Sequence, residues 1–265
     1  MNKINVQLDK IRSENRVGLM THVIVGYPTL NETIPVVKAM EESGVDFVEL
    51  QIPFSDPLAD GPTIMKACEQ SLAQGTKVKD AFEIATKLTK EVSIPILFMA
   101  YFNTVFRYGT EKFCKAAKKA GISGLLVPDM PIEEEDAERF LAFCKQNDLH
   151  AVRVVSPAST DERLIKNAKI AEGFVYCTAR QGITGAQKEL DPTIESYLQR
   201  VHAQINLPLA VGFGISKREH IMALAPHAEV AVIGSALIDT LHESTPRDRI
   251  KNVKAFLKPL VGIAR

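Results

Sequence analysis

Short apolar runs, separated by amphipathic stretches, recur along the whole chain. Eight of the runs read as strands: 19–25 (LMTHVIV), 47–52 (FVELQI), 94–101 (IPILFMAY), 124–127 (GLLV), 151–155 (AVRVV), 174–178 (FVYCT), 207–211 (LPLAV) and 230–233 (VAVI). A leading helix is expected over 4–14, and amphipathic helices lie between the strands, for instance over 133–145 and 160–168. Strands that alternate with helices pair in parallel through right-handed crossovers. Eight such units in 265 residues predict one (β/α)8 barrel domain over 1–265, with an extra N-terminal helix. A doubly wound open sheet is the rival architecture. No GxGxxG follows the first strand, and no linker or shift in composition divides the chain. The segments 42–50 (ESGVDFVEL) and 119–127 (KAGISGLLV) echo each other, each with a glycine where a helix should end before the next strand.

A barrel of this kind carries its chemistry at the C-terminal ends of its strands. Glu49, Asp60, Tyr101, Asp129, Tyr176 and the GFGI run from Gly212 all fall at or just past such ends. Side chains along a strand alternate between faces. In the second strand Val48, Leu50 and Ile52 form an apolar face suited to packing under helices, whereas Phe47, Glu49 and Gln51 point into the barrel. A carboxylate aimed inward costs free energy unless it is partnered, so Glu49 is either a paired core acid or a functional one, and its position favours the second.

Glycine gives a further signal. The polar segment 181–190 (QGITGAQKEL) follows the sixth strand and has the character of a lid that excludes water. Glycines also end the seventh strand (VGFGIS, 211–216) and the eighth (IGSA, 233–236). Backbone N–H groups at a helix start bind phosphate, and phosphate sites in these barrels form after strands seven and eight beside a short helix. A short phosphate-binding helix opening at Gly234 and Ser235 is therefore expected. The bland alternative is that the glycines only make tight turns.

Composition narrows the partners. Lys+Arg and Asp+Glu are 32 each, so the net charge is zero and lacks the basic surplus that nucleic acid or an anionic membrane would need. The first ten residues lack the apolar core of a secretory signal, and no apolar run approaches membrane-spanning length, so a cytoplasmic location is expected. The four cysteines form no C-x-x-C pair and the six histidines no H-E-x-x-H, so no metal is expected. The residues alone thus lead to a barrel enzyme with a phosphorylated small substrate, one inward acid and a second acid nearby. An isomerase or another aldolase fits equally well at this point, although a Schiff-base aldolase would need a strand-end Lys that is not found.

The stretch ELQIPFSDPLADGP over 49–62 closely resembles the signature of the tryptophan synthase α subunit family, usually ELGIPFSDPLADGP. The resemblance runs on through MAYFN (99–103), GLLVPD (124–129), STDERL (159–164), GFVYCTARQGITG (173–185), VGFGIS and IGSA. It implies retro-aldol cleavage of indole-3-glycerol phosphate to indole and glyceraldehyde 3-phosphate, in tryptophan biosynthesis. No cofactor is implied in this subunit. Pyridoxal phosphate is expected only in the partner, the tryptophan synthase β subunit of an α2β2 heterotetramer. Carried over, Glu49 resembles the family's proton-transfer acid, and Asp60 the carboxylate that takes the indole N–H. Tyr176 and Thr184 match pocket and lid positions, with Thr184 orienting Asp60. Gly185, Gly214, Gly234 and Ser235 match phosphate-binding positions. Met99, Tyr101, Leu126, Asp129 and Phe213 match positions that line or support the indole pocket, and Asp56 and Pro57 match the loop that meets the β subunit.

The chemistry suits these residue types. One acid in two protonation states can deliver a proton to the indole ring and remove one from the adjacent hydroxyl, while an ionised Asp60 stabilises charge on the indole nitrogen. The sequence departs from the family at Gln51, which replaces a glycine on the inward face and is expected to hydrogen-bond Glu49 or crowd the cavity. The first loop reads GYP where GDP is more usual, Ala179-Arg180 stands for Ser-Arg, and VSPAS (155–159) for APPT. A standalone lyase and a non-catalytic activator of a β subunit remain as alternatives. Retention of Asp56 and Pro57 argues against the first, and retention of both acids against the second.

Overall fold

The computed structural model describes residues 1–130, 132–134, 138–178, 192–212 and 214–265. Eight strands close into a barrel: β1 (Gly18–Ile24), β2 (Phe47–Gln51), β3 (Ile96–Met99), β4 (Gly124–Leu126), β5 (His150–Val155), β6 (Val175–Thr178), β7 (Leu209–Gly212) and β8 (Val230–Ile233). Each pairs in parallel with the next, and β8 pairs with β1. Every expected strand is present, shifted by no more than a few residues.

The alternation read from β2 holds. Val48, Leu50 and Ile52 belong to the apolar layer between strands and helices, and Phe47 to a separate cluster inside the barrel. That inner cluster also holds Met20, Leu97, Leu126, Phe174, Ala210 and Val230. Phe47 and Phe174 meet edge to face with their centroids 5.8 Å apart. The interior is therefore packed in its lower part and opens only above this layer.

The helix Lys3–Ser13 seals the bottom. Asn2 caps it by accepting the Ile4 N–H at 3.0 Å, and the Asn2 amide donates to the Ser123 carbonyl at 2.9 Å, which ties the helix start to the base of β4. Ile4, Leu8 and Ile11 recur at helical spacing, so they share one face, and all three are buried in the inner cluster. Nearby, Arg16 makes a two-pronged pair with the buried Asp46 at 2.7 Å, and Asp46 also accepts the Leu19 N–H. The two echoing glycines, Gly44 and Gly121, both follow helix ends at positive φ (92° and 82°), the left-handed conformation that stops a helix.

The helix expected over 133–145 is not one continuous helix. A 3-10 turn spans Ile132–Glu134 and an α-helix Phe140–Gln146, while residues 135–137 lie outside the described residues. Arg139, at φ 52°, takes the left-handed backbone that interrupts a right-handed helix. After β8 the chain turns directly into the helix Ser235–Glu243, as the glycine pattern predicted, and then into Arg249–Leu257.

Candidate active site

The inward residues above the packed layer are polar. Glu49 sits in the middle of β2, only 3% exposed, directly opposite His22 of β1 in the strand register. Its Oε1 lies 3.3 Å from His22 Nδ1. Its other oxygen, Oε2, is buried with no hydrogen-bond partner among the described residues. A buried acceptor left without a donor costs about 1–3 kcal/mol. Tyr176 on β6 stands close enough that Glu49 adds to the rise in its hydroxyl pKa, which burial drives in the first place. Gly212, next to Tyr176 on β7, makes room for that hydroxyl, because a Cβ there would lie 3.1 Å from it.

The chain leaves β2 through the proline-stiffened loop and brings Asp60 back toward Glu49. Asp60 Oδ2 accepts the Gln51 amide at 2.7 Å and the Tyr101 hydroxyl at 3.0 Å. Tyr101 in turn accepts the Ala59 N–H at 3.0 Å and stacks on Phe54, so the loop is fastened at both ends. Burial raises the Asp60 pKa above the ordinary aspartate value, while the His22 charge and the Gln51 and Tyr101 donors pull against that rise. Burial outweighs them, so the net shift is upward and runs against the ionised form expected of Asp60. For His22 burial alone would lower the pKa, but Glu49, Asp60 and Gln51 outweigh it and the net shift is upward.

A cavity of about 910 Å³ opens above these groups. Glu49, Asp60, Met99, Leu126, Asp129 and Tyr176 line it, together with Gly214, Gly234 and Ser235. Tyr101 is not on its wall; it stands behind Asp60 as a support. Asp129 also has a structural task, since its Oδ1 accepts the Phe102 N–H at 2.7 Å and so caps the helix Phe102–Tyr108. Thr184, Gly185 and Phe213, together with the expected lid, lie outside the described residues. Asp56 is exposed as a contact residue would be, whereas Pro57 is buried within its own chain and Leu58 beside it is 93% exposed. Among the described residues no group of three or more His, Cys, Asp or Glu side chains is placed to hold a metal.

Two features escaped the sequence. Gln51 does face inward, but it bonds Asp60 and His22 rather than Glu49. In the sequence His22 reads only as part of a strand. Its alternation with Met20 would have placed it inward had the buried face of β1 been known, but β1 is apolar on both faces and is buried throughout.

Fold and cavity define a (β/α)8 barrel of the enzyme class, with two acids and the glycine turns after β7 and β8 lining one strand-end cavity. A family model described as "Tryptophan synthase alpha chain" matches residues 8–261. The chain belongs to the tryptophan synthase alpha chain family. It is 45% identical over 244 residues to the tryptophan synthase alpha chain of Desulfotalea psychrophila, covering 91% of this chain and 95% of that protein. To that of Caldanaerobacter subterraneus it is 37% identical over 261 residues, covering 98% of each. Among solved structures, a Mycobacterium tuberculosis tryptophan synthase superposes with a TM-score of 0.89 at 31% identity, covering 98% of this chain and 96% of that one. Membership makes the chain a lyase of tryptophan synthesis. No helix among the described residues is long and apolar enough to cross a membrane.

Proposed function

We propose that the chain cleaves indole-3-glycerol phosphate to indole and glyceraldehyde 3-phosphate. The observation that carries this is the pair Glu49 and Asp60: both carboxylates line one cavity, together with the glycine turns at the ends of β7 and β8. Glu49 delivers a proton to the indole C3 carbon, which leaves positive charge on the ring nitrogen. Asp60 accepts the indole N–H and stabilises that charge. The Glu49 carboxylate then takes the proton of the adjacent glycerol hydroxyl. The carbon–carbon bond breaks, its electron pair returns to the ring, and the hydroxyl carbon becomes the aldehyde. The proton leaves Glu49 and returns to it, so no net acid is consumed.

The phosphate sits at Gly214, Gly234 and Ser235. Ser235 and Ala236 open the helix Ser235–Glu243, and their N–H groups carry the positive end of its dipole, whereas Leu237 and Ile238 already donate to the Gly234 carbonyl. Met99, Leu126 and Tyr176 give the indole an apolar seat. The chain needs no cofactor of its own for these steps. It works with a tryptophan synthase β subunit in an α2β2 assembly, and pyridoxal phosphate belongs to that partner.

The test is indole release from indole-3-glycerol phosphate. Glu49→Gln is expected to reduce kcat by about 10³-fold, within the range for loss of a general acid–base. Asp60→Asn is expected to reduce it by roughly 10²-fold, since it keeps the shape but loses the charge. A Glu49→Gln protein within a few-fold of the parent would overturn the assignment.

A further inference from the structure

Glu49 and Asp60 are joined by a continuous polar chain. His22 Nδ1 stands 3.3 Å from Glu49 Oε1, His22 Nε2 is 2.6 Å from Gln51 Oε1, and Gln51 Nε2 donates to Asp60 Oδ2 at 2.7 Å. All of His22, Glu49 and Gln51 are buried, at 4%, 3% and 0% exposure. The chain has a direction. Asp60 Oδ2 takes two donors, Gln51 and Tyr101, as an ionised carboxylate oxygen does. That fixes the Gln51 amide nitrogen toward Asp60 and its carbonyl toward His22. A carbonyl only accepts, so His22 Nε2 must carry a hydrogen. The remaining nitrogen, Nδ1, faces Glu49 Oε1, and two lone pairs at that separation would repel. One proton therefore belongs between them, on Glu49 as a neutral acid beside neutral His22, or on His22 as an imidazolium beside a carboxylate.

We propose that His22, locked by Gln51, is a positioning residue that stores next to Glu49 the proton Glu49 delivers in catalysis. The inference rests on the reading of Glu49 as the proton-transfer acid. In the resting pair the proton sits on His22 Nδ1 or on Glu49 Oε1, and passage between them changes neither the total charge nor the proton count. Substrate that displaces charge from Glu49 draws the proton to the carboxyl, ready for the ring carbon. When Glu49 later recovers a proton from the substrate hydroxyl, the pair returns to its starting state. The groups facing the imidazole are Glu49 and Gln51 from β2, Asp60 from the following loop and the uncharged Gly234 after β8, where a Cβ would stand 3.8 Å from the His22 Cβ. Both anions favour the imidazolium. The usual glycine at position 51 would break the chain at its middle link, so His22 and Gln51 work as a unit.

Two measurements test this. The first is nitrogen NMR of the imidazole in the unliganded chain, with the His22 signal assigned by its loss in His22→Phe. In the parent, Nε2 should remain protonated throughout and Nδ1 should titrate above the pH of free histidine. In Glu49→Gln the Nδ1 titration should move clearly downward. The second is the pH profile of kcat for indole release. His22→Phe removes the imidazole, and His22→Gln keeps a polar group toward Gln51 without a titrating site. Both are expected to lower kcat by roughly 10-fold, to alter KM by less than about 3-fold, and to shift the limbs of the profile.

An imidazole that titrates identically in the parent and in Glu49→Gln overturns the shared proton. A folded His22→Gln protein with an unshifted profile overturns the catalytic role, whatever its rate. These outcomes are separate from failure of the proposed reaction, in which Glu49→Gln itself would retain indole release while the NMR coupling could still be present.

Discussion

His22 and Asp60 hold their protons more tightly in the folded chain than free side chains do, for different reasons. In His22 burial opposes the charge and loses to Glu49, Asp60 and Gln51; in Asp60 burial dominates over its donors. A group with a raised native pKa binds more protons folded than unfolded, so its contribution to stability declines as pH rises. For His22 the contribution is complete below the ordinary value of 6.5 and is lost as pH climbs through the folded value. The decline for Asp60 starts lower, above its ordinary value of 3.8. The urea midpoint should therefore fall as pH rises above the ordinary histidine value of 6.5, and His22→Phe should flatten that fall. An equal fall in both proteins would place the dependence elsewhere. Gly124 is a residue where shape rather than charge decides. A Cβ there would stand 2.9 Å from both the His150 carbonyl and Ile4 Cδ1. Gly124→Ala should cost about 1–3 kcal/mol in urea unfolding, because backbone on one side and the sealed helix face on the other leave little room to yield.

At the scale of elements, the two ends of the barrel have separate duties. The helix Lys3–Ser13 closes the end remote from the cavity, with Ile4 and Leu8 buried at 0% and 6% exposure. Leu8→Ala is expected to destabilise by about 2–5 kcal/mol, as deletion of a packed side chain does, while kcat per folded molecule stays near the parent value. The helix Ser235–Glu243 serves the opposite end. Ser235→Asp would place a negative charge where the substrate phosphate is proposed to bind, so KM for indole-3-glycerol phosphate should rise about 10-fold or more with little change in melting temperature. A KM unchanged by Ser235→Asp would move the phosphate elsewhere. The elements themselves were legible because each strand is a short apolar run between helices of a different period, and because glycines mark the helix stops at Gly44 and Gly121. Strand β2 even declared its inward face, since only one of its faces is polar. Strand β1 could not, being apolar on both sides apart from Thr21 and His22, which lie on opposite faces. The polar chain from Glu49 to Asp60 depends on the register His22↔Glu49, and a register is a property of two strands that neither run contains alone.

For the whole molecule, one loop joins the chemistry to the outside. Asp60 at its inner end is tied to Gln51 and Tyr101, while Asp56 and Leu58 at its outer turn are exposed. An apolar side chain that is 93% exposed beside an exposed carboxylate is a surface suited to a protein partner, with Leu58 for contact area and Asp56 for charge matching. Pro57 between them is buried and serves to hold the turn, so the charge at Asp56 is the feature of the expected contact pair that faces outward. Asp56→Lys reverses that charge without touching the cavity. It is expected to raise the Kd for a tryptophan synthase β subunit about 10-fold or more, read by calorimetric titration, because a reversed charge opposes its former match across the contact. Indole release by the isolated chain should stay near the parent rate. A Kd within about 2-fold of the parent would remove Asp56 from the contact, since charge reversal at a real contact costs more than that. The same titration on Asp60→Asn separates the loop's two ends. Loss of rate with unchanged Kd would show that the inner carboxylate acts on substrate alone, and a shared loss would show that partner binding and the acid network are coupled through the loop.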